Sequence, residues 1–547
     1  MKKYSLTIAI IALMLSSCNQ WLEEDRFGYS TGDMFRDEAN IIRLVGQAYA
    51  DLVWLHDHWG YWGIVTLTSD EAVIPTRNPG NHWHDGGYWA QFPTHTWGTD
   101  DDSFYNLWQM SISGAIQCNR ILQTLALNRD VIPEALFYQY VAELEVLRTF
   151  YFFTLFDVFG RIPYTEVFDE TTAVPLLSVE ETWQRLTETL RRNAPNLPIV
   201  NDGNRASLYG RVTQGFAYAL LARLYLNAES YGLFVPNAMD SVVSFTDRII
   251  NAGSYMIEPD FFTNFAIDNS RSRENIFVIV NNGCTFSGHT RWGPSGMSSH
   301  FRIVQNSLHY NHQMVWDMMR DPWNGFAATP ELIASYEPGD RRGADPQALG
   351  TLATERWGWF VGPVAHADGT IELDEQNEEV IIVPTINSLT NATWNCGARL
   401  WKFEVDMQGR WMYMQNDFPI IRYAEVLYMR AEAILRGAAG TIDWGYLAPI
   451  RTRAGVEPYN AGTLTLDELL AERGREFAWE MIRRRDLIRF GKYTDANFWG
   501  QSASWRGSVA TPGQPHRVWF PIPDRVLRRS WIDPATGQHL WTQNPGY

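Results

Sequence analysis

Between Glu38 and Ala252, stretch after stretch places apolar residues three and four positions apart, and no long Pro- or Ser-rich linker separates them. Residues so spaced share one face of a helix, and that face must be buried against another element. The chain is therefore predicted to be mainly α, a single body of paired helices rather than beads on a string. Ile41, Ile42, Leu44, Val45, Ala48, Tyr49 and Leu52 give the first such face, over Glu38–Leu55. Thr99-Asp100-Asp101-Asp102 caps a helix running to Leu127, since acids favour the positive helix N-terminus. Pro133–Phe159 is the next, stopped by Gly160 and Pro163. Val179–Asn193 starts from Ser178 with Glu181 three residues on, a capping box. Ser207–Glu229 and Met239–Ala252 follow. Pairs of this kind suggest a tetratricopeptide or solenoid stack, although no clean 34-residue repeat is visible. Only four cysteines, at 18, 118, 284 and 396, serve 547 residues, so packing must hold the chain together.

The pattern changes after residue 255. Residues 255–416 are read as mainly irregular, with Glu274–Val280 a buried strand. Helix returns over Asp417–Arg436 and Trp444–Ala454, and a last long helix is predicted over Thr465–Phe490. Residues 56–98 are also irregular, rich in Gly, Pro, His and Trp. The helical scaffold is thus expected mainly at 100–252 and 417–490, and the irregular parts mainly at 56–98 and 255–416.

The N-terminus reads as a leader. Lys2 and Lys3 precede the apolar run Thr7–Leu15, which at about 1.5 Å per residue reaches about 14 Å, less than half a bilayer core. This is the pattern of a signal peptide. Leu15-Ser16-Ser17-Cys18 resembles the bacterial lipobox, which implies a signal peptide over 1–17, acylation of Cys18, and an anchor and tether over 18–37. Acyl chains hold a domain on a bilayer with no crossing helix.

Several ordered segments resemble one family. They are Ala142–Phe153 continuing to Asp157-Val158-Phe159-Gly160-Arg161-Ile162-Pro163, Gly210–Gly215 leading into Ala219–Leu226, Asn416–Val426, Arg451-Thr452-Arg453-Ala454-Gly455, Glu472-Arg473-Gly474-Arg475-Glu476, Arg484–Gly491, Phe520-Pro521-Ile522-Pro523, and the closing Gln543–Tyr547. The set is similar to the SusD/RagB family of Bacteroidetes surface lipoproteins and covers residues 38–547 as one domain. Met481-Ile482 departs from the pattern, where the family usually carries Gly and His. The resemblance implies tetratricopeptide-type helix pairs with an irregular ligand-binding part. It also implies a SusC-type TonB-dependent barrel as partner, an outer-membrane location facing the exterior, and capture of an oligosaccharide, or in some branches a peptide, for that barrel. The leading expectation is a non-catalytic binding protein with no cofactor, with a surface glycoside hydrolase as an alternative. Arg148, Arg422, Glu425 and Glu476 lie among apolar or small residues in these motifs and are expected to be buried, paired scaffold charges.

Tryptophan marks where a ligand would sit. Of 24 Trp, seven lie from Trp54 to Trp108, only Trp183 falls in residues 109–291, and fifteen follow from Trp292 onward. The first helical stretch is nearly free of Trp and the irregular parts are rich in it. Flat aromatic faces bury the C–H faces of sugar rings, while Asn, Asp, Arg and His read the hydroxyls. Arg77, Asn81, Trp83 and Trp89, on the Gly-rich loop Arg77–Trp89, are the first candidates; Trp292, Tyr310 and Trp323 are candidates from the insertion.

Other chemistries are less well served. A net charge of -17 argues against nucleic acid as main partner. His56/His58 and His82/His84 have the i, i+2 spacing of a strand-borne metal pair, but no third ligand stands at a telling distance and no His-Glu-X-X-His occurs, so loop polarity is the preferred reading. Gly-X-Ser-X-Gly and Gly-X-X-X-X-Gly-Lys are missing. Acidic residues are plentiful, so a glycosidase carboxylate pair is left open, as is a purely protein-binding adaptor. Cys118 is expected in the core, and Cys284 with Cys396 is a possible pair across the insertion.

Overall fold

The first apolar face becomes helix α1 (Glu38–Gly46), capped by the Asp37 carboxylate on the Ala39 amide, and a 3-10 segment over Gln47–Trp54. Helix α2 (Tyr61–Leu67) follows and is buried along its whole length. The computed structural model describes residues 35–78, 83–281, 303–318, 321–345, 347, 356–407, 414–500, 503–507 and 512–547. The leader, Cys18 and the tether up to residue 34 lie outside these residues.

Helix α3 (Asp102–Leu127) starts at the three aspartates. Asp101 accepts the Ser103 amide at 2.9 Å, and Asp100 pairs with Arg525 at 2.9 Å, so this acidic run serves a helix end. Helix α4 (Glu134–Phe159) packs along α3. The approach is close at Gly114, where any Cβ would enter the Tyr151 ring. Gly160, at φ +73°, ends α4. Helix α5 (Val179–Asn193) begins with both bonds of the predicted capping box. The single helix expected over Ser207–Glu229 is instead a turn, α6 (Arg205–Leu208), and a helix, α7 (Gln214–Leu226), parted at Gly210 with φ +70°. Helix α8 (Ala238–Asn251) then packs on α7.

Short strands carry the irregular parts. Among them, labelled in chain order, are β1 (Ala72–Val73), β2 (Arg77–Asn78), β3 (Asn275–Ile279), β4 (Ala327–Ala328), β5 (Ala392–Thr393) and β6 (Phe418–Arg422). Strands β1 and β4 pair antiparallel, and β2 and β5 parallel, which joins the first irregular part to the second. Strand β3 is wholly buried and pairs antiparallel with β6. The helix expected from Asp417 therefore starts late. Pro419 disfavours the α conformation at Phe418 before it, and the β-branched Ile420-Ile421 favours the strand.

Three short helices, α9 (Ile303–Ser307), α10 (His312–Trp316) and α11 (Pro330–Ala334), lie between β3 and β5. After β6 come α12 (Tyr423–Leu435), α13 (Trp444–Thr452), α14 (Leu466–Glu476) and α15 (Arg483–Arg489). The last two replace the one helix expected over Thr465–Phe490. The break contains Trp479 at φ +61° and Met481 at φ +66°. Met481 thus occupies the left-handed conformation that glycine adopts at least cost, at the position where the resembling family carries glycine.

Buried charges tie these late helices to the strands. Arg422 meets Glu274 at 2.6 Å and Glu476 and Glu480 at 2.8 Å; Arg342 meets Asp340 and Glu472 at 2.7 Å and Glu476 at 2.9 Å. Glu425 holds Arg223, and Arg148 reaches Asn119 at 2.8 Å and Glu166 at 2.9 Å. All four motif charges are scaffold, each matched by an opposite charge within hydrogen-bond distance.

Candidate functional site

Two strand pairings build the site. Because β1 meets β4 and β2 meets β5, the loop after β2 lies against the segment before β4. The Trp83 amide donates to the Trp323 carbonyl at 3.2 Å, and the two indoles stand 5.2 Å apart at 57°. Asp85 fixes the loop's aromatic side chains. One of its carboxylate oxygens accepts Trp83 Nε1–H and the other Trp89 Nε1–H, each at 2.9 Å. Asp85 itself has φ +47°, and Gly86 and Gly87 are also left-handed, so the tight backbone turn brings both indoles to one carboxylate.

Trp59 lies over Trp89 at 4.7 Å and beside Tyr88 at 5.2 Å and 32°. Tyr88 is held by its hydroxyl on Asp101, at the start of α3. The His58 ring sits among the indoles, 5.0 Å from Trp83, 5.6 Å from Trp89, 5.8 Å from Trp59 and 6.0 Å from Trp323. Trp59, Trp83, Tyr88 and Trp323 are half-buried, while His58 and Trp89 form the buried floor. A second aromatic group holds His309, Tyr310 and Trp394, with centroids 4.1 and 5.2 Å from His309. Asn324, next to Trp323, donates to the Trp394 carbonyl at 2.9 Å and so links the two groups.

Two candidates have other work. Arg77 is fully buried, and its guanidinium donates to the carbonyls of Asn324 at 2.5 Å, Gly325 at 2.6 Å and Cys396 at 3.1 Å. It clamps the segment behind Trp323 and has no surface to offer a sugar. Arg399, equally buried, grips Asn324 Oδ1 and the carbonyls of Cys396 and Gly397. Burial, and then the charge of Arg77, push its pKa down. Trp89 is buried on both faces and supports Trp59 and Trp83 from beneath. Asn81, His82, Cys284 and Trp292 lie outside the described residues. Trp83, Trp323 and Tyr310 retain accessible surface.

The sequence reading passed over Trp59, Tyr88 and Trp394. Trp59, adjacent to the His56/His58 pair, and Tyr88, on the loop Arg77–Trp89, carried usable signals; Trp394 carried none beyond being aromatic. Those histidines are committed to packing. His56 Nε2 is 3.0 Å from Asn281 Oδ1, and burial lowers its pKa to about 4; His58 Nδ1 is 3.2 Å from Asp57. Among the described residues no cluster of three His, Cys, Asp or Glu could hold a metal ion.

A cavity lies elsewhere, between α4, α7, α12 and α15, and its lining includes Asp157, Arg223, Glu425, Arg485 and Asp486. These charges are already matched, Arg223 with Glu425 and Arg485 with Asp157. The aromatic face, by contrast, presents apolar ring surface beside polar atoms, the composition that receives a sugar ring.

Known proteins share both sequence and architecture with the chain. The SusD family profile matches residues 296–547, and the profile described as "Starch-binding associating with outer membrane" matches residues 53–226. The starch-binding protein SusD of Bacteroides thetaiotaomicron is 24% identical over 434 residues, spanning 74% of this chain and 72% of that protein. Surface glycan-binding protein A of Bacteroides thetaiotaomicron, solved with laminarihexaose, superposes with a TM-score of 0.68 at 21% identity, covering 93% of this chain and 99% of that one. A SusD superfamily protein from Parabacteroides distasonis gives 0.70 at 19% identity, with coverage of 93% and 99%. A laminarin-binding SusD-like protein gives 0.68 at 20% identity, with coverage of 93% and 100%. With the two profiles each containing part of the strand-built aromatic site, the chain belongs to the SusD/RagB family.

Proposed function

We propose that this protein is a non-catalytic, lipid-anchored glycan-binding protein of the outer membrane. It captures an oligosaccharide on the face made by Trp59, Trp83, Tyr88 and Trp323, with Tyr310 and Trp394 as the continuation. It then delivers the sugar to a SusC-type TonB-dependent transporter. The observation that carries the reading is the Trp83–Trp323 pair: two half-exposed indoles joined through the backbone, with Trp83 fixed by Asp85. An indole covering about 60 Å² of apolar sugar surface contributes about 1.5 kcal/mol, or about tenfold in affinity. The related proteins support a glycan as ligand, since they are described as starch-binding, laminarin-binding or solved with laminarihexaose. Cys18 would carry the lipid, and Asn81 and Trp292 remain part of the proposed contact set.

The test uses protein lacking residues 1–18, titrated with starch, laminarin and a panel of other plant and host polysaccharides while Trp fluorescence is followed. Saturable binding to one glycan, weakened about tenfold or more by Trp83→Ala and by Trp323→Ala, with no release of cut sugar, is expected. Cleavage of the bound glycan would overturn the non-catalytic reading. Silence across the panel, with binding of peptides instead, would overturn the glycan.

A further inference from the structure

Glu71 is a buried acid that the ion-pair network leaves out. It stands between α2 and β1 and is fully buried. Its Oε2 accepts the backbone amide of Trp479 at 3.0 Å, and its own carbonyl accepts Trp479 Nε1–H at 3.0 Å. Its Oε1 is buried with no hydrogen-bond partner. The charges around it are engaged elsewhere. The carboxylate of Asp70 is held at 2.7 Å by both Nε and Nη2 of Arg483, from α15. Lys402 is taken by Glu480 and by the Ala478 carbonyl. Beyond α11, the Tyr336 hydroxyl donates to the Arg475 carbonyl and accepts Trp359 Nε1–H. Among the described residues Glu71 has no cation within ion-pair distance.

The residue Glu71 holds is one of the two left-handed ones in the break. Trp479, at φ +61°, sits in the break between α14 and α15, and its ring meets Trp62, Phe326 and Trp359 at 5.9, 5.8 and 5.0 Å. Phe326 in turn lies nearly parallel to Trp83, 6.1 Å away at 28°. Next to Phe326, Gly325 approaches Trp83 so closely that a Cβ there would enter the indole. A continuous packed path therefore runs from Glu71 through Trp479 and Phe326 to the aromatic face.

We propose that Glu71 is a positioning residue for this face and works as the neutral acid, so that losing its proton loosens Trp479 and with it the support of Trp83. The inference rests on the glycan-capture reading of that face. An ionised carboxylate in this position would be an unpaired buried charge, and water or a cation would have to enter to stabilise it. Burial, helped by the charge of Asp70, raises the Glu71 pKa to about 8, against the Trp479 amide, Arg483 and Lys402, which lower it. The proton is therefore held at pH 7 and lost in mildly alkaline solution. Lys402, whose pKa burial also lowers, is the competing titrating group.

The test compares wild type with Glu71→Gln and Glu71→Ala from pH 6 to pH 10, in the same protein lacking residues 1–18. One arm measures affinity for laminarihexaose and for starch. The other follows the near-UV circular dichroism of the Trp residues with no sugar present. Wild type should lose about tenfold in affinity across a midpoint near pH 8, with a parallel change in the Trp spectrum that shrinks in Trp83→Phe. Glu71→Gln, which keeps an acceptor for the Trp479 amide, should bind at pH 7 and show neither change. Glu71→Ala should bind weakly at every pH. A transition that persists in Glu71→Gln belongs to another group, Lys402 first among them, and overturns the proposal; so does a wild type flat in both arms. If neither sugar binds, the glycan reading is in question, and the spectral arm still decides the role of Glu71.

Discussion

Glu472→Gln probes the buried charge centre directly. Glu472 accepts hydrogen bonds from Arg342 at 2.7 Å, Arg451 at 2.9 Å, Arg475 at 3.0 Å and the Tyr428 hydroxyl at 3.0 Å, all away from water. Burial alone would raise its pKa; Arg342, Arg475 and Arg451 outweigh burial and bring it from 4.5 to about 2. At about 1.4 kcal/mol per pH unit this difference corresponds to about 3 kcal/mol of stability. Because the folded pKa lies below the unfolded one, the contribution is complete above pH 4.5 and disappears as the pH falls toward 2. The variant should therefore be less stable by about 3 kcal/mol at pH 7, by about half that at pH 3, and equal to wild type near pH 2. With an unfolding entropy of about 2 cal/mol/K per residue, a chain of 547 residues loses about 3 °C in Tm for 3 kcal/mol. Thermal melts at pH 7 and pH 3 measure this. An equal Tm loss at both pH values would refute the electrostatic account, and a gain at pH 7 would show that desolvation of the carboxylate exceeds what three arginines return.

Two further substitutions separate scaffold from contact. Arg77→Met leaves the carbonyls of Asn324 and Gly325 without their Arg77 donor, while Cys396 keeps Arg399, and should destabilise the protein by about 2–4 kcal/mol, with glycan affinity falling alongside it. A variant that melts like wild type and yet fails to bind would return Arg77 to the ligand. Trp89→Phe keeps a ring under Trp59 but gives up the bond to Asp85, and affinity should drop by no more than about threefold. A loss in titration as large as that of Trp83→Ala would show that Trp89 touches sugar.

The long helices were legible because each announces its ends with local chemistry. Asp101, Ser178 with Glu181, and Gly160 are signals a few residues long, and the structure uses all of them. The break between α14 and α15 had no such signal. Trp479 and Met481 take left-handed backbone without being Gly or Asn, and what holds them there is distant: the Glu71 carboxylate at one end and the Arg422 and Lys402 charges on Glu480 at the other. The strand at Phe418–Arg422 has a local signal in Pro419 and the two isoleucines, but the helical spacing that follows it was extended back over it, six residues too far. The site divides in the same way. Trp density marked the two irregular parts, and strand pairing brings them together. Which indole faces outward was not legible, because Trp83 and Trp89 share one loop and one carboxylate and differ only in what packs over them.

The hydrogen bonds around α15 have a consequence for how the molecule comes together in time. Arg483 meets Asp70 across 413 positions of chain, Trp479 meets Glu71 across 408, and Arg485 meets Asp157 across 328. Closing loops of that length carries a large entropic cost before any contact compensates it, whereas the α3–α4 hairpin needs only its own short turn. Folding should accordingly run from the N-terminal hairpins inward, with this lock formed after the rate-limiting step. Interactions made that late oppose unfolding rather than speed folding, so the protein's persistence should be governed by how slowly the lock opens.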